Sequence, residues 1–210
     1  MSEEVLQLFF ESVTGQITTT LVIFLLLVLV MRTNEKKNDV SILVKTAILL
    51  AVSFVLNHIT LFRMPQGGSI TAFSMFSLFL VSYLFGPRQG VLAGMAYGLI
   101  DLVLNPYVIH PMQIFLDYPL AFGAIGIGGL LRDKKLGIIS GYLLGVLGRY
   151  LVLVISGIIF WGEYAAEGFN EVTWSFFYNM TYILPEAIAT VAILMIPQVR
   201  NLFDRFKLKQ

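Results

Sequence analysis

Polar punctuation cuts this chain into about seven predominantly apolar runs, at 14–32, 40–59, 70–86, 90–104, 112–131, 136–161 and 172–197. A helix rises about 1.5 Å per residue, so about 20 apolar residues cross the hydrocarbon core of a bilayer. In lipid every backbone amide and carbonyl must find its partner within the protein, which makes apolar runs of this length helical. The chain is therefore expected to be an all-α integral membrane protein in contact with the lipid bilayer on most of its surface. Of its 210 residues, 57% are hydrophobic and 13% charged, which leaves no room for a soluble catalytic domain. The absence of cysteine excludes disulfides, thiolate metal sites and cysteine nucleophiles.

The first apolar run resembles a signal peptide only superficially. A signal peptide opens on a basic region and closes on small residues, whereas Glu3, Glu4 and Glu11 precede this run and Arg32 follows it. A retained helix is expected.

Basic residues set the orientation, because Lys and Arg collect in short cytoplasmic loops. Arg32, Lys36, Lys37 and Lys45 flank the first connection, and Arg88 the third. Arg132, Lys134 and Lys135 mark the fifth connection, and Arg200, Arg205, Lys207 and Lys209 the tail. The opposite side carries Arg63 with Glu163, Glu167 and Glu171, while Arg149 lies inside a run. The N-terminus is expected outside and the C-terminus in the cytoplasm. The net charge of +1 gives no sign of a nucleic-acid partner.

Small residues recur every four positions at Gly90, Gly94 and Gly98, at Gly137, Gly141 and Gly145, and at Ala47 and Ala51. Such faces let helix backbones approach closely in lipid. Internal packing is the expectation for both glycine series. Ala47 and Ala51 fit either internal packing or contact with another protein.

Within the run 112–131 stands Asp117. A carboxylate at the centre of a bilayer costs on the order of 2.5–3.5 kcal/mol even on lenient scales, so such a group usually faces a bundle interior or an aqueous cavity. The outer connections near it are aromatic, placing Tyr107, Tyr118, Trp161, Tyr164 and Trp174 within reach of one site. Aromatic faces beside a carboxylate suit an organic cation, through cation–π attraction and a charge-assisted hydrogen bond. An interfacial aromatic belt is the competing reading for any one of these rings.

Three ordered segments carry a more specific signal: G-G-S-I-T-A-F-S-M at 67–75, L-D-Y-P-L-A-F-G at 116–123, and I-S-G-I-I-F-W-G-E-Y-A-A-E-G at 155–168 followed by Y-N-M-T-Y-I-L-P-E at 178–186. With these segments the chain resembles, from about residue 41 to 197, the thiamine-specific substrate-binding subunits (S components) of energy-coupling factor (ECF) transporters, the ThiT or YuaJ family. The resemblance implies a six-helix S-component bundle over 40–197, preceded by an extra N-terminal transmembrane helix and cytoplasmic linker over 1–39 and followed by a basic cytoplasmic tail over 198–210. It implies that Trp161 stacks on thiamine, that Asp117 is the acid facing it, and that Tyr107 and Tyr118 line the pocket. It implies that Asn179 bonds the aminopyrimidine, that Trp174 stands where some members carry a tyrosine, and that Arg149 stands where others carry a lysine. It also implies a lid over 60–70, including Gly67, Gly68 and Ser69, and docking through Ala47 and Ala51 on a transmembrane coupling protein served by two cytoplasmic ATPases. No cofactor and no metal are implied.

Leu153 falls where some family members carry a site histidine, which opens a shift toward a related pyrimidine or thiazole compound or another vitamin. Asp101 reads either as a pocket acid or as a group reaching the headgroups. For Arg149 and Glu186 a mutual ion pair competes with ligand contact by Arg149. His58 and His110 are expected at outer helix ends without a metal. The chain has no phosphate loop and no H-E-x-x-H or G-x-S-x-G motif, so energy must be supplied by partners and no enzyme is expected. Two rivals remain: an intramembrane enzyme using Asp117, Asp101 and Glu186, and a non-transporting scaffold with an S-component fold.

Overall fold

In the computed structural model, residue 9 and residues 12–32 and 40–207 are described. The acidic leader residues Glu3, Glu4 and Glu11, the linker lysines Lys36 and Lys37, and Lys209 lie outside them. The helices are α1 (Val13–Met31), α2 (Val40–His58), α3 (Ser74–Phe85), α4 (Pro87–Leu104), α5 (Gln113–Leu131), α6 (Gly137–Phe160), α7 (Glu171–Leu194) and α8 (Pro197–Phe206). Five of them, α1, α2, α5, α6 and α7, are long and apolar enough to cross a membrane. Glycines, Gln89 and Asp101 dilute the apolar character of α4.

The expected run 70–86 is cut short at its start. Residues Thr60–Arg63 (β1) and Ser69–Thr71 (β2) form an antiparallel hairpin, irregular between Thr60 and Phe62, and α3 begins only at Ser74. Phe73, in a left-handed conformation at φ 64°, turns the chain into α3. Nearly every residue of this 12-residue helix is buried, so it runs through the middle of the bundle. Gly86 at φ 104° and Pro87 at the first position of α4 then reverse the chain abruptly, a pairing that suits the backbone freedom of glycine and the fixed φ of proline.

The glycine series behave as packing faces. A Cβ at Gly94 or Gly98 of α4 would collide with backbone at Phe122 or Tyr118 of α5, one at Gly90 with Ser82 of α3, and one at Gly141 or Gly145 of α6 with Gly128 or Ile125 of α5. α5 is thus clasped between α4 and α6. Its pitch changes along its length, from α to a π turn at Leu116–Leu120, back to α, and to a 3-10 end at Gly126–Leu131. Pro119 in the π turn has no N–H to donate, and the Ala121 N–H reaches back five residues to the Leu116 carbonyl.

α1 lies outside the six-helix bundle and packs on α4 and the π turn of α5, burying Ile23 and Leu27. Leu21, Val22, Leu25, Leu26 and Leu29 stay exposed, as lipid contact requires. The segment expected as a basic tail is helical over Pro197–Phe206. Pro197 opens the amphipathic α8, whose Val199 and Phe203 pack on the core.

Candidate functional site

At the end of the bundle where the β1–β2 hairpin meets the connections after α4 and α6, the helices enclose a cavity of about 440 Å³. That volume falls in the range of about 300–1,000 Å³ usual for small-molecule sites. Its lining includes Tyr107, Asp117, Tyr118, Arg149, Trp161, Trp174 and Asn179, together with Gly67, Gly68 and Ser69 from the hairpin. Tyr164 is the expected site residue that the cavity does not include. It is half exposed, packs on the Trp161 ring at 5.4 Å from outside, and offers its carbonyl to Gln66.

Asp117 projects from the π turn of α5. Its Oδ2 accepts from Gln113 Nε2 at 2.6 Å, while the buried Oδ1 has no hydrogen-bond partner among the described residues. Ser156 Oγ and the Trp161 ring approach the same carboxylate. Gln113 is fully used. It also donates to the Tyr107 carbonyl at 3.2 Å and accepts from the Ile109 N–H at 2.8 Å, tying the loop after α4 to the acid. The Tyr118 hydroxyl accepts from the Tyr107 N–H at 2.7 Å and donates to the Asn105 carbonyl at 3.2 Å. These bonds fix the Tyr107 ring parallel to Trp161, with centroids 5.5 Å apart and planes 16° apart.

Of the two readings for Arg149, the ion pair with Glu186 does not form, and Arg149 lines the cavity. The Arg149 guanidinium carbon sits 3.8 Å from the centre of the Phe122 ring, with Nε and Nη1 buried and without hydrogen-bond partners among the described residues. Glu186 instead accepts from Thr71 Oγ1 at 2.6 Å and from the Met75 N–H at 2.8 Å. It thereby joins the foot of the hairpin to the first turn of α3, where no side chain of that helix supplies a cap. A carboxylate at a helix N-terminus meets unsatisfied N–H groups and the positive end of the helix dipole. Asp101 lines the cavity and accepts from Asn57 at 3.3 Å and Asn105 at 3.0 Å.

The hairpin covers the cavity and is fastened at several points. Gln66 bridges Trp174 Nε1 at 3.2 Å and the Tyr164 carbonyl at 2.8 Å. The Gly68 N–H donates to the Tyr178 hydroxyl at 3.1 Å. A Cβ at Gly68 would stand 2.6 Å from the Tyr182 ring, so only glycine lets the turn lie this close. Gly67, at φ 88°, rests on the Tyr107 ring.

Asn179 is engaged within α7, donating to the Ser175 carbonyl at 2.9 Å and accepting from the Tyr182 hydroxyl at 2.6 Å. Leu153 presents an apolar patch to the cavity beside it. His58 lines the rim, with Nδ1 2.9 Å from the Phe54 carbonyl, and His110 stacks on Phe160 at 4.9 Å.

Sequence reasoning missed Gln66, Gln113, Tyr178 and Tyr182 as parts of the site. Two of these signals were legible. Gln113 stands four residues before Asp117, and Trp174, Tyr178, Tyr182 and Glu186 repeat every four residues along α7, the spacing of one helix face. Ala47 and Ala51 stand apart from this site, exposed on α2 beside the exposed Val44, Ile48, Val52 and Val55.

Fold and site together define a polytopic membrane protein with a lidded small-molecule pocket at one end of its bundle. The model of the thiamine transporter protein family (Thia_YuaJ) matches residues 43–203, so the chain belongs to that family. It is 33% identical over 177 residues to the thiamine transporter ThiT of Bacillus subtilis, covering 77% of this chain and 91% of that protein. It is 26% identical over 180 residues to the ThiT of Lacticaseibacillus paracasei, covering 76% and 87% of the two chains. A solved structure of ThiT from Listeria monocytogenes superposes with a TM-score of 0.65 at 25% identity, covering 78% of this chain and 97% of that one. The matched region begins after α1.

Proposed function

We propose that this chain is the thiamine-binding S component of an ECF importer, with the lidded cavity as its ligand site. The observation that carries the reading is the Trp161–Tyr107 stack standing beside Asp117, whose Oδ1 is unsatisfied. Thiamine combines a thiazolium cation with an aminopyrimidine, so it needs a carboxylate, a flat aromatic surface and hydrogen-bonding groups. The aromatic pair supplies the surface, Asp117 the counter-charge, and the second lone pair of Asn179 Oδ1 accepts from the pyrimidine amine. Asp101 and Glu186 are already engaged by Asn57, Asn105, Thr71 and Met75, which supports a binding role over acid–base catalysis.

Tryptophan fluorescence tests this directly, because both tryptophans of the chain line the cavity. Thiamine is expected to quench the emission saturably, and Trp161→Ala to weaken binding by about 1–3 kcal/mol, the range for a ring stacked on a heteroaromatic base. Unchanged affinity in that variant removes Trp161 from the site. Leu153 supports one further comparison: titration with the separate pyrimidine and thiazole halves reveals whether the apolar patch has moved the preference to a fragment.

The positive-inside pattern supports an orientation with the N-terminus and the lidded end outside and the C-terminus in the cytoplasm. The exposed small-residue face of α2 suits docking on a membrane coupling protein that works with two cytoplasmic ATPases. Replacing Ala47 and Ala51 together by Leu is expected to abolish ATP-dependent uptake and copurification of the coupling protein while ligand affinity stays within a few-fold. Normal uptake by the double variant removes the docking role.

A further inference from the structure

At the end of the bundle opposite the lid lies a second cavity of about 390 Å³, lined by Tyr83, Arg132, Lys134, Lys135, Arg200 and Lys207 among others. We propose that this cavity binds the phosphate of an anionic phospholipid at the membrane surface. The inference is independent of the ligand at the lidded end.

Charge is the first support. Five cationic side chains face two carboxylates, Asp204 in the lining and Asp133 beside it, and both carboxylates are already engaged. Asp204 accepts from the Tyr83 hydroxyl, and Asp133 pairs with Lys207 Nζ at 3.1 Å. Lys207 is held further by the Arg132 carbonyl at 3.0 Å and lies over the Tyr83 ring at 5.5 Å. Lys134, Lys135 and Arg200 have no acidic partner among the described residues. The first turn of the 24-residue α6 opens into the same cavity with no side-chain cap, adding the positive end of its dipole.

Apolar surroundings are the second support, and they favour a lipid over a soluble anion. Leu136 lines the cavity and is half exposed. On α8, Val199 and Phe203 turn inward while Leu202 and Phe206 remain exposed, the arrangement of a helix lying in a membrane interface. A phosphate in the cavity would therefore have its acyl chains beside apolar side chains. Basic pockets between transmembrane helices at the cytoplasmic side suit such headgroups.

Native mass spectrometry of the full chain from vesicles of phosphatidylglycerol and phosphatidylcholine in equal amounts tests the proposal. The protein is expected to retain phosphatidylglycerol preferentially. Each surface charge removed is expected to lower that retention about five-fold, so K134Q/K135Q/R200Q lowers it about 100-fold while thiamine titration at the far end is unchanged. Equal retention of the two lipids by the unmodified protein overturns the proposal. So does saturable binding of inorganic phosphate without lipid preference, which marks a soluble-anion site. Loss of a copurifying protein in the triple variant with lipid retention intact assigns the surface to a protein contact and also overturns it. Should the triple variant fail to insert, R200Q alone and the two-lipid comparison on the unmodified chain decide the matter.

Discussion

Asp117→Asn is expected to weaken binding of thiamine by about 1.5–3 kcal/mol, the usual worth of a hydrogen bond to a charged group. A neutral analogue of the same shape is expected to lose far less. The substitution keeps the volume of the side chain and an oxygen for Gln113 Nε2, so what disappears is chiefly the negative charge. The same change should leave the thermal stability of the protein without ligand equal or higher, because a buried carboxylate with one unsatisfied oxygen is costly to the fold. Binding titrations with both ligands, paired with thermal unfolding in detergent, separate the two effects. Equal losses for cation and neutral analogue would mean that Asp117 shapes the pocket without serving as counter-ion.

Glu186→Ala is expected to act in the opposite way, lowering stability first and binding as a consequence. It strips the Met75 N–H and the Thr71 hydroxyl of their acceptor, and each buried polar group left unsatisfied costs about 1–3 kcal/mol. Because Ser74 Oγ lies 2.6 Å from Thr71 Oγ1, the loss extends through a chain of hydroxyls at the foot of the hairpin. The melting temperature should fall, thiamine should dissociate faster, and amide exchange should rise across residues 60–71. Glu186→Gln retains an oxygen for the Met75 N–H and an amide for Thr71, so it should fall between Ala and the unmodified protein. An unchanged melting temperature and dissociation rate in the Ala variant would rule out the capping role.

α1 is placed so that both tests can be made on the full chain. It packs on α4 and the π turn of α5, where it buries Ile23 and Leu27, and Gly15 and Gln16 are buried as well. Gly98 of α4 packs directly on the π turn of α5 at Tyr118 and Pro119, next to Asp117.

Much of this architecture was legible in the chain itself. Length and apolarity of a run depend only on neighbouring residues, so the helices fell near their expected positions and both glycine series turned out to be internal faces. An acid inside an apolar run, Asp117, and an aromatic run around Trp161 were likewise visible as local departures from a lipid-facing pattern, and both line the cavity. The corrections arose wherever a residue's partner lies far away in sequence. An ion pair with Arg149 was one of two readings left open for Glu186, yet Thr71, 115 residues earlier, is the group it holds, and Arg149 rests on Phe122. The same bond anchors the hairpin, which occupies the expected lid over 60–70 and takes the first residues of the run expected as helix from 70. Tyr164 was drawn into the expected site by its nearness to Trp161, but it packs on the outside of that ring. The length and apolarity of each run therefore decided what crosses the membrane, because hydration cost acts on each segment separately. Only the tertiary structure decided which polar group answers which, because hydrogen bonds join whatever atoms the packed backbone brings within about 3 Å.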